Sequence, residues 1–152
     1  MYNHEPEGYD CPFCKLAAGL MDQDCIILAD GDIFAVLALH QTELNFGNTL
    51  VMPKAHIENL YNFSSTVGEP LMRATRAIAL ALKELTSCDG ISIRQHNEPA
   101  GSQDVWHFHM HVTPRYEEDQ FYKPLKGGAV IAQETRSAFA ARLSPLIRRH
   151  LG

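Results

Sequence analysis

Apolar side chains return every three or four positions between residues 69 and 86, at Leu71, Ala74, Ile78, Leu82 and Leu85. This period predicts the longest helix of the chain, with one face reserved for a core. A second helical period runs from Glu134 to His150, and Pro145 is expected to interrupt it. Elsewhere the pattern shortens. Residues 24–30 and 33–39 are apolar runs on either side of Asp30-Gly31-Asp32, which predicts two strands of a hairpin. Thr49 to Met52 reads as a strand stopped by Pro53, and Ile91 to His96 as a strand entered through Asp89-Gly90. Residues 12–20 form a short expected helix ending at Gly19, residues 56–62 a helical turn, and residues 40–48 and 97–104 polar loops. Residues 107–113, His-Phe-His-Met-His-Val-Thr, alternate strictly, so they predict a strand with one apolar and one imidazole face, with Pro114 at its end or edge. Strands, helix, strands and helix in this order predict an α+β domain on a mostly antiparallel sheet.

Composition narrows the class. A length of 152 residues suits one compact domain with a real core. The formal net charge of −5 argues against binding nucleic acid through bulk electrostatics, although a small anionic ligand answers to local groups only. No run approaches the roughly 18 apolar residues of a membrane span. Residues 1–10 are polar and acidic, without the basic and apolar regions of a secretory leader, so the cytoplasm is the expected location.

The chemistry concentrates in residues 107–113, where three of the chain's eight histidines share one strand face. A neutral imidazole is a nucleophile, a general base or a metal ligand near pH 7. A metal reading needs further ligands, and Cys11, Cys14 and His56 are the candidates. Cys11-Pro-Phe-Cys14 has three readings: a redox pair, half of a tetrahedral zinc site completed by histidines, or two idle thiols. A redox pair of the glutaredoxin kind follows an apolar strand, and here residues 4–10 are polar. Cys25 and Cys88 stand alone and read as small buried hydrophobes. The loop from Asn97 to Asp104 brings Asn and Gln side chains suited to ribose hydroxyls or phosphate oxygens, with Gly101 allowing close backbone approach. Lys54, at the end of the Pro53 strand, reads as a solvated charge, and Arg115 and Tyr116 follow the histidines where phosphate or base is within reach.

His107-Phe-His-Met-His-Val-Thr113, together with Pro53-Lys-Ala-His56 and the Cys11-Pro-Phe-Cys14 start, resembles the histidine triad superfamily of nucleotide hydrolases and transferases. The resemblance covers residues 10–116 and leaves a C-terminal extension, residues 117–152, with one helix. It implies a five-stranded antiparallel sheet with helices, pairing into a homodimer with a continuous ten-stranded sheet. It implies that His109 attacks an α-phosphate to form a covalent nucleotidyl-histidine, which water or another acceptor then releases. His111 and Gln103 match phosphate contacts, Asn97 lines the same site, and Cys11, Cys14, His56 and His107 match the ligands of a structural zinc. The chain departs from the family pattern at three places. Asp104 stands where many members have Ser or Thr near the leaving group, Asn48 where they often have His, and His40 where they place an Asp or Asn on the ribose.

The reading that follows is a nucleotide-binding hydrolase or nucleotidyltransferase, with His109 and His111 at the reacting centre and Asn97, Gln103, Asp104, His40 and Arg115 around the substrate. Two alternatives are a metal-dependent hydrolase using all three histidines and a nucleotide-binding module without turnover. Residues 122–126 are expected to lie against the sheet, and Arg142, Arg148 and Arg149 to form a solvated helix face.

Overall fold

The computed structural model describes residues 2–119, 121–122 and 128–152. Five strands form one antiparallel sheet: β1 (Ile26–Asp30), β2 (Ile33–Leu37), β4 (Thr49–Pro53), β5 (Gly90–Gln95) and β6 (Met110–Arg115), in the spatial order β1-β2-β4-β6-β5. A two-stranded sheet pairs β3 (His40–Gln41) with β7 (Ala129–Val130). Three helices complete the fold: α1 (Pro12–Ala17), α2 (Ser65–Thr86) and α3 (Gln133–Leu151). The architecture is therefore α+β, as the order of periodicities predicts. Among the described residues, no helix is long and apolar enough to cross a membrane.

β2 and β4 are buried along their whole length, which explains their near-continuous apolar sequence. Period-two alternation still sorts their side chains. Ile33, Ala35 and Val51 face the layer made by α2 and α3, whereas Phe34, Val36, Leu50 and Met52 face α1. The first layer holds Leu71, Ala74, Ile78 and Leu82 of α2 with Ala140, Leu143 and Ile147 of α3. The C-terminal helix thus shares the main core. The segment 122–126 expected against the sheet lies largely outside the described residues.

Several boundaries differ from the sequence reading. α2 begins at Ser65, four residues early, with Pro70 inside it. α3 runs unbroken through Pro145, which is exposed, so the Ala141 carbonyl it leaves without a partner is open to water. The polar stretch 40–48 contains β3 and is organised by one buried side chain. Gln41 accepts from the Gly47 and Asn48 amides through Oε1 (3.0 and 2.9 Å) and donates to the Ala38 and Asn48 carbonyls through Nε2 (both 2.8 Å).

The largest difference concerns residues 107–113, where ladder pairing starts only at Met110. Upstream, the Phe108 amide donates to Ile57 (2.6 Å) and the His107 amide to Val105 (2.8 Å), so local and loop contacts replace the ladder. The alternation of sides survives, because Phe108, Met110 and Val112 all enter the main core. The opposite side is not a solvated face: His107 and His109 are buried.

Candidate functional site

His107 is fully buried, and its two ring nitrogens have different partners. Nε2 lies 2.9 Å from the Pro53 carbonyl, which can only accept, so Nε2 carries the proton and Nδ1 presents a lone pair. That lone pair faces Cys11 Sγ at 3.4 Å and Cys14 Sγ at 3.6 Å. His56 Nδ1 lies 3.2 Å from Cys14 Sγ while its Nε2 donates to Glu5 at 2.5 Å. The four ligating atoms of Cys11, Cys14, His56 and His107 lie within 4.8 Å of one another. A tetrahedron with metal–sulfur bonds near 2.3 Å and metal–nitrogen bonds near 2.0 Å has sulfur–nitrogen edges of roughly 3.6 Å, so the spacing suits an ion of this kind. The outward nitrogens held by a carbonyl and a carboxylate are the usual means of aiming such ligands. Burial holds the His107 imidazole down to about 4. Burial, reinforced by the neighbouring Cys11, pushes the Cys14 thiol up to about 12. α1 presents both cysteines because Cys11 caps it: Sγ accepts from the Cys14 amide at 3.4 Å.

Two residues on, His109 is 5 % exposed, and its Nδ1 lies 2.8 Å from the His107 carbonyl. Nδ1 therefore carries the proton, and the lone pair sits on Nε2. Burial lowers the basicity of the ring, and the bond to the carbonyl partly restores it. His111 is pushed down to about 3 by burial, helped by His109 and Arg94. Asn48 holds His111 from below: its amide group lies 3.3 Å from His111 Nδ1, and its Oδ1 accepts from Thr113 at 2.9 Å.

Both rings line a cavity of about 410 Å³ walled by Phe13, Leu16, Val36 and Leu50, with Asn48, His40 and Asp104 also in the lining. The Phe13 ring meets His109 edge-on at 5.1 Å. This is an apolar slot beside a neutral imidazole with a free lone pair, suited to a planar group joined to an electrophile.

The structure thus brings His40, Asp104, His109 and His111 to one cavity and sends the other expected substrate residues elsewhere. Gln103 is buried with its amide fully engaged, donating to the Glu58 and Val105 carbonyls (2.7 and 3.1 Å) and accepting from the Glu98 amide (2.9 Å). Asn97 accepts from the Leu60 amide at 2.8 Å and pairs with Gln95. Arg115 forms a two-pronged ion pair with Asp119 (2.6 and 2.8 Å). None of these three lines the cavity. Cys25 and Cys88 are buried free thiols, and Lys54 is exposed.

Three features of the site escaped the sequence. Phe13 reads as the filler between two cysteines. Asp22 and Arg136 lie 114 residues apart yet pair at 3.1 Å in the cavity wall, with Arg136 only 3 % exposed. Arg94 stands opposite His111 on β5, its guanidinium 4.4 Å from the Phe121 ring and its buried Nε unpaired among the described residues. Only the position of Asp22 beside an apolar run, and of Arg136 on the apolar side of its helix, hint at the second feature.

Comparison with known proteins places this geometry among relatives. The sequence profile of the HIT domain matches residues 23–118. The chain is 35% identical over 107 residues to Protein hit of Bacillus subtilis, covering 70% of this chain and 72% of that one. It is 27% identical over 144 residues to the adenylylsulfatase HINT3 of Arabidopsis thaliana, covering 93% of this chain and 70% of that one. A zinc-bound histidine triad family protein from Mycobacterium smegmatis superimposes with a TM-score of 0.74 at 25% identity, over 92% of this chain and 94% of that one.

Proposed function

The chain belongs to the HIT domain family, and from that premise we propose that it is a nucleotide hydrolase or nucleotidyltransferase whose nucleophile is His109. The observation that carries this reading is the bond from His109 Nδ1 to the His107 carbonyl, which leaves the Nε2 lone pair free on a ring lining an apolar cavity. Nε2 forms a bond to the α-phosphorus, and the bond from phosphorus to the leaving group breaks with its electron pair on the departing atom, which solvent protonates. Water or another acceptor then attacks the nucleotidyl-histidine, gives up its proton to solvent, and returns His109 to its starting state. His111 Nε2, with Nδ1 facing Asn48, is placed to hold a phosphate oxygen. The nucleoside enters the slot between Phe13 and Leu50, with His40 beside the sugar. The hydrolase activity named for the Arabidopsis relative is consistent with this class of chemistry.

Zinc is the metal best matched to Cys11, Cys14, His56 and His107: two thiols and two imidazoles, with both imidazoles held from behind. When bound it supplies a crosslink between α1 and the approach to β6, and no step passes through it. The alternative with three histidines on one catalytic ion is less well supported, because His107 Nδ1 faces the cysteines while His109 Nδ1 is spent on a carbonyl. We further infer a homodimer in which the sheet continues across β5, and a cytoplasmic location.

The deciding experiment incubates wild type and His109→Ala with a panel of nucleoside 5′-phosphate derivatives, with intact-mass detection of adducts and metal analysis of both proteins. A nucleotidyl adduct and turnover in wild type, both lost in His109→Ala with one zinc per chain retained, are expected. Full turnover by His109→Ala overturns the assignment, and loss of the metal in that variant favours the catalytic-ion reading.

A further inference from the structure

Among the described residues, the cavity that holds His109 and His111 carries an uneven set of fixed charges: two carboxylates, Asp22 and Asp104, against one guanidinium, Arg136. Arg136 is spent, with Nη2 on Asp22 at 3.1 Å and Nε donating to the Ile131 carbonyl at 3.2 Å. Two further arginines stand on the same sheet face, but both lie outside the cavity wall. Arg94 and Arg115 stack on Phe121 at 4.4 and 4.1 Å, and Arg115 is held by Asp119. Asp104 is the opposite case. It is exposed, it shares the cavity lining with both histidines, and among the described residues no hydrogen bond or ion pair takes up its carboxylate. The apolar walls Phe13, Leu16, Val36 and Leu50 are buried, whereas Asp104 in the same lining is exposed. A nucleoside seated against the apolar walls leaves its departing group toward the solvent side that Asp104 occupies.

We propose that Asp104 is the specificity-determining group of the leaving side: it selects nucleoside 5′-phosphate derivatives whose leaving group is neutral or cationic and disfavours polyphosphate leaving groups. The inference rests on the reading of His109 as the nucleophile and adds to it the charge class of the substrate. The leaving group departs opposite the attacking nitrogen, taking the electron pair of its bond to phosphorus. Its charge therefore changes in the field of the Asp104 carboxylate. A leaving group that already carries phosphates brings further negative charge to the same place, where the described lining offers no free cation to meet it. Unit charges near contact in a partly solvated site change a rate by on the order of tenfold or more.

The test uses a matched series of aryl esters of one nucleoside 5′-monophosphate, the ring bearing a trimethylammonium group, no charge, or a carboxylate. For each ester, kcat/KM is measured for wild type, Asp104→Asn and Asp104→Lys. Ratios between esters cancel general losses of activity, and an exposed side chain with no hydrogen bond or ion pair among the described residues can be replaced without disturbing the fold. Wild type is expected to favour the cationic over the anionic ester, Asp104→Asn to reduce that ratio about tenfold, and Asp104→Lys to invert it, with both effects shrinking at high salt. Turnover that depends on His109 with a charge ratio identical in wild type and Asp104→Asn overturns this inference and leaves the His109 reading standing. Turnover of the esters by His109→Ala, or none by wild type, overturns both.

Discussion

At the scale of single residues, the site depends on which nitrogen of each histidine is spent. His107 gives Nε2 to a carbonyl and keeps Nδ1 for the cysteines; His109 gives Nδ1 to a carbonyl and keeps Nε2 for the cavity. The two rings are two residues apart and chemically alike, yet their backbone partners turn opposite lone pairs outward. Asp119 shows the same dependence on partners the chain does not advertise. It is 5 % exposed and accepts from Arg115, from Asn45 at 2.7 Å and from the Tyr116 and Phe121 amides at 3.0 and 3.1 Å. Arg115 and these donors hold its carboxyl well below the usual carboxylate range. A carboxyl depressed in the folded state stabilises the fold at pH values above its unfolded pKa. That contribution is lost as pH falls through the ordinary range of about 4 and below. Asp119→Asn is expected to cost about 2–3 kcal/mol at pH 7, less than the 3–5 kcal/mol of a wholly buried broken pair because Arg115 keeps some contact with water. Urea denaturation of both proteins at pH 7 and pH 3 checks this: the gap narrows in acid, and a gap unchanged by pH contradicts it.

At the scale of elements, short segments far apart in sequence build the walls of the cavity. β7 pairs with β3 through His40 and Val130, and the Ile131 amide donates to Leu39, so residues 128–131 brace the stretch that carries His40. Gly128 makes this approach possible, because a Cβ there would lie 2.8 Å from the Gln41 carbonyl oxygen, a backbone atom with no room to yield. Gly128→Ala is expected to separate the two strands at a cost of about 1–3 kcal/mol and to speed hydrogen exchange at the Ile131 amide. An unchanged exchange rate would show that the brace does not depend on this contact. A chain reading of residues 40–48 as a loop follows from their polar composition, and the two-residue strand inside it exists only because β7 returns to meet it.

At the scale of the whole molecule, the sheet has α2 and α3 on one face and α1 with the histidines on the other. His109 is therefore backed by the main core through Phe108 and Met110 and fronted by Phe13. β5 ends the sheet, and Ile93 on it is 47% exposed. An open edge strand with an exposed apolar side chain favours continuation into a second sheet. Sedimentation equilibrium is expected to find a dimer, and Ile93→Lys to shift it toward monomer by at least tenfold in dissociation constant, about 1.4 kcal/mol. A wild-type monomer at high protein concentration rules out the ten-stranded sheet.

Local pattern was enough for the elements and for the grouping of the chemistry. The 3.6 and 2.0 periods depend only on neighbouring residues, so α2, α3, β1, β2, β4 and β5 were legible along the chain, as was the side of β6 that carries imidazoles. The family resemblance of Cys11-Pro-Phe-Cys14, His56 and His107 likewise implied one cluster, and the fold brings the four together. The tertiary structure alone decided what each polar group touches. Gln103, Asn97 and Arg115 look like substrate contacts by composition, but folding gives their hydrogen-bonding capacity to Glu58, Leu60 and Asp119. Arg136 looks like one more helix cation, but folding sets it against Asp22 in the cavity wall. The physical reason is that a buried polar group must find a partner. That partner is chosen by proximity in the folded chain, where a separation of 114 residues along the sequence has no bearing.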